Sequence, residues 1–173
     1  MKPAAWIPTI VLLLAGCVAG GSATADAPGS WRDAPLTDVR TGQTFTVADL
    51  EGKLIVIEPM AIWCVNCQFQ QSEVATALAR GPQPNVVYLS LDVDPNERPE
   101  DLARYADESG FSWTFVVASP DVARSLAGAF GDQVLSPPAT PSIVIGPDGS
   151  LIEKHLGIRG ADDLVGLFEQ YGQ

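Results

Sequence analysis

Two short apolar runs separated by a helical segment dominate the hydrophobic pattern of the chain. Residues 53–59 form a continuous run rich in β-branched side chains, and residues 85–93 form a second. Such runs are typical of strands buried on both faces of a sheet. Between them, a segment from about Cys64 to Arg80 has the periodicity of a helix, and Gly81-Pro82 ends it. Its apolar positions at approximately helical spacing are Phe69, Val74, Ala77 and Leu78.

The same alternation continues to the end of the chain. Pro99 opens a helix to about residue 109, residues 112–118 form a third apolar run, and Ser119-Pro120 caps a helix to about Phe130. A predicted hairpin then joins residues 142–146 to 150–157 through the Pro-Asp-Gly turn between them. A final amphipathic helix covers residues 160–172, with one apolar face formed by Leu164, Leu167, Phe168 and Tyr171. The pattern predicts an α/β domain with a mixed central sheet flanked by helices.

The N-terminal segment has a different character. Lys2 precedes an apolar stretch, and Leu14-Ala15-Gly16-Cys17 ends it, an arrangement that resembles a prokaryotic lipoprotein signal whose lipobox cysteine is lipidated. We expect residues 1–17 to be this signal, residues 18–30 to be a flexible tether rich in small residues, and residues 31–173 to be the folded domain. The alternative is an uncleaved membrane anchor, because residues 4–20 are nearly free of charge.

Charge and cysteine content narrow the possible functions. The formal net charge is −11, from 10 basic and 21 acidic residues, so a nucleic-acid partner is not expected. Three cysteines are too few for a disulfide-rich scaffold. With either reading of the N-terminus, the domain is expected to lie outside the cytoplasm, in the periplasm or on the outer face of the membrane. Disulfides persist there, so a thiol pair would need a reducing partner.

Cys64 and Cys67 form the most informative pair in the chain. They could be a structural staple, half of a metal site or a reversible redox couple. A cysteine at the first turn of a helix faces free backbone N–H groups that favour the thiolate, and a cysteine three residues later can form a disulfide with it. This spacing assigns Cys64 as the exposed nucleophile and Cys67 as the more shielded resolving thiol. A staple that closes so short a loop would contribute little stability.

The surrounding residues resemble the thioredoxin superfamily. Trp63-Cys64-Val65-Asn66-Cys67 matches its WCxxC site, and Thr140-Pro141 directly before a strand matches its cis-proline loop. The resemblance covers roughly residues 35 to 172. It implies a thioredoxin-like fold in which Trp63, Thr140 and Pro141 contact the substrate. It implies no cofactor and no metal.

Two further features point to one branch of that superfamily. The interval between Cys67 and Pro141 leaves room for a mid-domain insertion of a strand and a helix, and residues 41–53 resemble the opening motif of the TlpA/ResA-like proteins. The resemblance implies a membrane-anchored thiol-disulfide oxidoreductase, which we expect to act as a reductase. Its expected partners are a membrane electron donor and protein thiols or disulfides, for instance those of apocytochrome c or of a copper-site protein.

Glu58 interrupts an apolar strand six positions before Cys64. A desolvated carboxyl there would have a raised pKa and could exchange a proton with the buried thiol, which makes Glu58 a candidate catalytic residue. Thioredoxins carry an Asp at the matching position, so the resemblance supports this role. The alternative is a glutamate at a strand end that reaches solvent.

The same part of the chain bears on two alternative functions, a copper chaperone and a thiol peroxidase. Residues 90–116 resemble the middle of Sco-like copper chaperones, but their CxxxC spacing and distant His are missing here. A thiol peroxidase is disfavoured because Ala61 stands where a threonine is expected, three residues before Cys64. The single histidine, His155, is expected to pack or to face solvent. The acidic stretch from Asp92 to Glu108 is expected to be a solvated loop and helix face.

Overall fold

The computed structural model describes Met1 and residues 30–173. Apart from Met1, the predicted signal with Cys17 therefore lies outside the described residues, as does all but the last residue of the predicted tether. Within the described part, none of the helices is long and apolar enough to cross a membrane.

A five-stranded mixed sheet forms the centre of the domain. Its order is β5-β4-β3-β6-β7, in which β3, β4 and β5 are parallel, while β6 and β7 are antiparallel to their neighbours. These strands are β3 (Leu54–Met60), β4 (Val86–Asp92), β5 (Thr114–Val117), β6 (Ser142–Ile145) and β7 (Leu151–His155). Two short strands, β1 (Leu36–Thr37) and β2 (Thr44–Phe45), form a separate antiparallel pair.

Four helices connect and cover the strands. They are α1 (Val65–Leu78), α2 (Pro99–Glu108), α3 (Pro120–Phe130) and α4 (Ala161–Tyr171). Proline at the first helical position opens α2 and α3, and the Ser119 hydroxyl caps α3 by accepting from the backbone N–H of Val122. Three 3₁₀ turns lie at Ala48–Leu50, Asp132–Leu135 and Pro137–Ala139.

Strand β3 lies in the middle of the sheet, and all seven of its residues are buried. One face of the sheet, with Val56 and Met60, packs against α1, α2 and α4. The other face, with Ile55 and Ile57, packs against α3. Because β3 and β4 are parallel, their carboxyl ends meet at one edge of the sheet, where α1 also begins.

The predicted elements are confirmed with shifts of one or two residues at their ends, and β4, α2, β5 and α3 fill the interval predicted to hold an insertion. Phe69 is an exception, because its side chain is 61% exposed instead of facing the core. The buried face of α1 is formed by Cys67, Gln70, Gln71, Val74 and Ala77. Phe69 lies on the opposite side of the helix from Cys67 and Gln71, whose burial fixes the rotation of α1.

Candidate active site

The two cysteines lie where β3 leads into α1. Cys64 is the N-cap residue of α1, and its Sγ accepts a hydrogen bond of 3.2 Å from the backbone N–H of Cys67. A disulfide joins Cys64 to Cys67, whose Cα atoms are 5.2 Å apart. The predicted position of the pair at the first turn of a helix is confirmed.

The exposure expected for Cys64 is not found in this disulfide form. Cys64 is 2% exposed and Cys67 is 0% exposed. Both side chains belong to the apolar cluster beneath α1, and Cys67 Sγ lies 3.3 Å from the carbonyl oxygen of Pro137. The turn at 137–139 therefore covers the buried side of the pair, and Cys64 retains only a narrow opening to solvent.

That turn is also bonded to α1, since Asn66 Nδ2 donates to the carbonyl oxygen of Pro138 over 2.8 Å. The cis-proline that the resemblance implied at Pro141 is not found, because no peptide bond in the described residues is cis. Instead the chain reverses through the 3₁₀ turn and through Thr140, which has a left-handed backbone with φ 48° and ψ 57°. Thr140 and Pro141 are both buried.

Glu58 is fully buried, at 0% exposure, so the alternative of a solvent-facing carboxylate is wrong. The hydroxyls of Tyr88 and Ser90 each donate to Glu58 Oε2 over 3.2 Å. Burial raises the pKa of Glu58 to about 8, and the hydrogen bonds from Ser90 and Tyr88, together with the nearby Gln71 side chain, only partly offset that effect. Its Oε1 atom has no hydrogen-bond partner in the described part of the chain.

A buried polar network links this carboxyl to α1 and α2. Gln71 lies one helical turn after Cys67, and its buried side chain lies close enough to Glu58 to lower the pKa of that carboxyl. The Tyr105 hydroxyl of α2 donates to Gln71 Oε1. Gln71 was not predicted from the sequence, although its spacing of four residues from Cys67 places both on one helix face. The polar face of β4 was not predicted either, because Tyr88 and Ser90 lie within an apolar run.

Trp63 is 56% exposed beside the disulfide, so its side chain is accessible for the substrate contact that the resemblance implies. Its indole N–H donates to Asp94 Oδ2 over 2.7 Å. Directly before it, the backbone N–H of Ile62 donates to both carboxylate oxygens of Glu97, at 3.0 and 2.9 Å. The acidic stretch is therefore not simply solvated, and its first part packs against the segment that leads to Cys64.

Exposed apolar side chains continue from Trp63 around the N-terminal end of α1. A hydrogen bond of 2.9 Å from the Gly157 N–H to the Ala139 carbonyl joins the loop after β7 to the turn at 137–139. The same loop is joined to α1, because the Arg159 N–H donates to Gln70 Oε1 over 2.6 Å. We call the exposed residues of this region the apolar rim, and they are Trp63, Val65, Phe69, Leu156 and Ile158.

Metal ligands are not grouped in the described residues, since no three His, Cys, Asp or Glu side chains there could hold an ion together. His155 lies on β7 opposite Ser142 and is partly buried. In the described part of the chain, its Nε2 atom has no hydrogen-bond partner. Its packing role in the sheet is consistent with what we expected from the sequence.

Comparison with known proteins shows similarity at the level of structure. No protein-family model matches the sequence, and curated proteins yield no match. A thioredoxin-family thiol:disulfide interchange protein from Chlorobium tepidum superimposes with a TM-score of 0.65 at 20% identity, covering 82% of this chain and 96% of that one. A secreted disulfide oxidoreductase of Mycobacterium tuberculosis superimposes with a TM-score of 0.63 at 16% identity, covering 80% of this chain and 96% of that one.

A third similar structure is BsSco, a member of the Sco family of cytochrome c oxidase assembly proteins. It gives a TM-score of 0.63 at 15% identity, covering 83% of this chain and 95% of that one. At these identities the similarities establish the fold, which is thioredoxin-like. They cover nearly the full length of each matched chain, so the similarity is not limited to a fragment of the sheet.

Proposed function

We propose that the protein is an extracytoplasmic thiol-disulfide oxidoreductase that works as a reductase through Cys64 and Cys67. The observation that carries the proposal is the Cys64–Cys67 disulfide at the N-terminus of α1, in the same apolar cluster as the strand that bears the buried Glu58. A structural staple does not require a buried ionisable carboxyl nearby, whereas thiol exchange requires a group that moves protons.

In the reduced protein, the Cys64 thiolate attacks one sulfur of a substrate disulfide. A mixed disulfide forms, the substrate S–S bond breaks, and the first substrate thiolate leaves and takes a proton from solvent. Cys67 then loses its proton and attacks Cys64 Sγ. The Cys64–Cys67 disulfide forms, the second substrate thiolate leaves, and two electrons have passed from the protein to the substrate.

Each sulfur has surroundings that suit its step. The Cys67 N–H that donates to Cys64 Sγ, together with the helix N-terminus, stabilises negative charge on Cys64. In the reduced form the Cys67 thiol can donate to the Pro137 carbonyl oxygen, which keeps it protonated until resolution. We assign Glu58 as the group that takes this proton and returns it when the disulfide is reduced again.

The setting of the reaction is part of the proposal. The lipobox-like sequence ending at Cys17 supports a lipid anchor, and the anchor would hold the domain at a membrane outside the cytoplasm. Reduction of the Cys64–Cys67 disulfide then needs a dithiol donor associated with that membrane. Oxidised cysteine pairs of apocytochrome c or of a copper-site protein are the proposed substrates. Trp63 is the proposed side-chain contact beside Cys64, and Thr140 and Pro141, whose side chains are buried, would contact the substrate through their backbone.

The deciding experiment measures the reduction potential of the full chain in detergent micelles. The protein is equilibrated in dithiothreitol or glutathione buffers, and the thiol fraction is read from the mass added by alkylation. A potential well below that of glutathione supports the reductase. A potential near or above glutathione would make the protein an oxidant or an isomerase, and a pair that fails to cycle but takes up copper would favour the Sco-like alternative.

A further inference from the structure

The last residue of β4 and the loop that follows it, residues 92–98, carry three carboxyl groups beside the segment that leads to Cys64. We call residues 92–98 the acidic loop. Asp94 accepts a hydrogen bond from the Trp63 indole N–H. Both carboxylate oxygens of Glu97 accept from the Ile62 backbone N–H. The third carboxyl, Asp92, is the last residue of β4 and pairs in register with Met60 at the end of β3. The acidic loop therefore holds the two residues before Cys64 by side-chain bonds.

Asp92 differs from the other two because it is 0% exposed. Its Oδ1 atom accepts the backbone N–H of Asp94 over 2.9 Å. Its Oδ2 atom is also buried, and it has no donor among the described residues. The side chain that it meets there is Glu97. A fully buried carboxylate facing a second, half-buried one is disfavoured in its charged form, whereas one proton between them supplies the missing hydrogen bond.

We propose that Asp92 and Glu97 are positioning residues that share one proton, and that this proton keeps Glu97 on the Ile62 N–H and so fixes the segment presenting Trp63 and Cys64. The Asp92 O–H donates to Glu97, and the charge left on Glu97 strengthens its two contacts with Ile62. The proton sharing does not depend on the proposed redox function. Its consequence for the reaction does rest on that function.

Every charged group that acts on Asp92 favours its neutral form. Burial is the main cause that raises its pKa, to about 9, and the side-chain contact with Glu97 comes second. The charges of Glu97 and Asp94 add to the increase, and only the backbone bond from Asp94 opposes it. The cation next in sequence, Arg98, is bonded to Glu100 and Asp101.

Among the residues that the structure describes, no cation contributes to the shift of the Asp92 pKa. Glu58 lies on the same face of the neighbouring β3, and Tyr105 of α2 is influenced by the charges of Glu58 and Glu97. On β5 the paired residue is the apolar Val117, and the two cysteines at the start of α1 are joined in the disulfide and carry no charge. Loss of the shared proton at alkaline pH therefore leaves Asp92 and Glu97 both negative and facing each other. Their repulsion pushes Glu97 away from the Ile62 N–H.

The test follows the position of Trp63 in the oxidised full chain, in detergent micelles, labelled with 5-fluorotryptophan. Its ¹⁹F resonance is assigned by its disappearance in Trp63→Phe. In the unmodified protein we expect one shift of this resonance in the mildly alkaline range. Asp92→Asn is isosteric, and its amide donates permanently to Glu97, so the shift is expected to be lost. A shift retained in Asp92→Asn, or no shift in the unmodified protein, would overturn the proposal.

Two controls separate this pair from other carboxyl groups. Glu58→Gln removes the other buried acid nearby, and Glu100→Gln removes an exposed acid three residues from Glu97; both are expected to keep the shift. A shift abolished by Glu58→Gln would assign the titration to Glu58 and overturn the inference.

Glu97→Ala gives an independent measurement. Removal of the charged acceptor should increase hydrogen exchange of the Ile62 amide by about tenfold or more, and unchanged exchange would contradict the contact. If the disulfide proves inert to thiols while Asp92→Asn still abolishes the ¹⁹F shift, the proton sharing stands and the proposed redox function fails.

Discussion

Glu58 and Ser90 stand directly opposite each other on the parallel strands β3 and β4, and the serine hydroxyl donates to Glu58 Oε2 over 3.2 Å. Trp113 fixes the direction of this bond. Its indole N–H donates to Ser90 Oγ over 2.9 Å, so the serine proton is free to point toward the carboxyl. The register of the sheet therefore places a hydrogen-bond donor beside the buried Glu58 carboxyl, whose pKa is about 8.

Replacing Glu58 by glutamine should slow the resolving step without removing the disulfide. Glutamine keeps the size and the acceptor oxygen but cannot take a proton from Cys67. We expect the rate of this step to fall by roughly 10²–10⁴-fold, as for loss of a general base. The pH dependence near pH 8 should disappear as well. Stopped-flow mixing of the reduced protein with a disulfide peptide across pH 6–10 measures both quantities, and an unchanged profile would remove Glu58 from the mechanism.

The buried Glu58 should also make the free energy of unfolding depend on pH. Its pKa is about 8 in the folded protein and near 4.5 in the unfolded chain. The contribution of neutral Glu58 to the free energy of unfolding is therefore complete below pH 4.5. It is lost as the pH rises toward 8, by about 1.4 kcal/mol per pH unit.

Urea unfolding of the unmodified protein and of Glu58→Gln measures this contribution. The difference in unfolding free energy between the two should change by roughly 3 kcal/mol from pH 4.5 to pH 7, to the disadvantage of the unmodified protein. Asp92 remains in both proteins and cancels from the comparison. Parallel curves for the two proteins would show that Glu58 does not titrate as proposed.

The two cysteines should give different products when replaced singly. Cys64→Ser removes the nucleophile, so turnover should be lost and no mixed disulfide should form. Cys67→Ser keeps the nucleophile but cannot resolve, so a Cys64 mixed disulfide with the substrate should accumulate. Non-reducing electrophoresis and intact mass identify these species. Equal residual activity in both variants would contradict the division of roles.

The apolar rim should bind substrate without supporting the fold. Phe69→Ala removes a side chain that is 61% exposed, so the free energy of unfolding should change by no more than about 0.5 kcal/mol. KM for a disulfide peptide should rise several-fold. Leu151→Ala is the matched control, because Leu151 is also an exposed apolar residue but begins β7, at the end of the β6–β7 hairpin away from Ser142. Equal effects of both variants on KM would show that the rim has no specific role.

Local patterns predicted most of the fold. The runs at 53–59 and 85–93 could be assigned as central strands because burial on both faces leaves an unbroken apolar sequence. The position of the cysteine pair followed from the junction of such a run with a helix. Phe69 was misassigned because approximate helical spacing does not fix the rotation of a helix whose inner face includes polar residues such as Gln71.

The parts of the site that could not be predicted depend on distant residues. The bond between Ile62 and Glu97 joins positions 35 apart, and it exists only because the parallel register of β3 and β4 brings their ends together. The Thr140-Pro141 motif was recognisable in the sequence. Its backbone geometry was not, since the left-handed Thr140 depends on how the preceding 3₁₀ turn seats on α1.

The carbonyl oxygen that faces Cys67 Sγ belongs to a residue 70 positions further along the chain. A chain synthesised from its N-terminus therefore presents both thiols long before the turn that covers them exists. Closing this contact requires β6 to insert beside β3, a non-local pairing that is slow to form because a long loop must close first. The Cys64–Cys67 pair is thus covered late in folding. Under the proposed function, maturation of the protein, as well as its turnover, would depend on the oxidants it meets in the compartment where it folds.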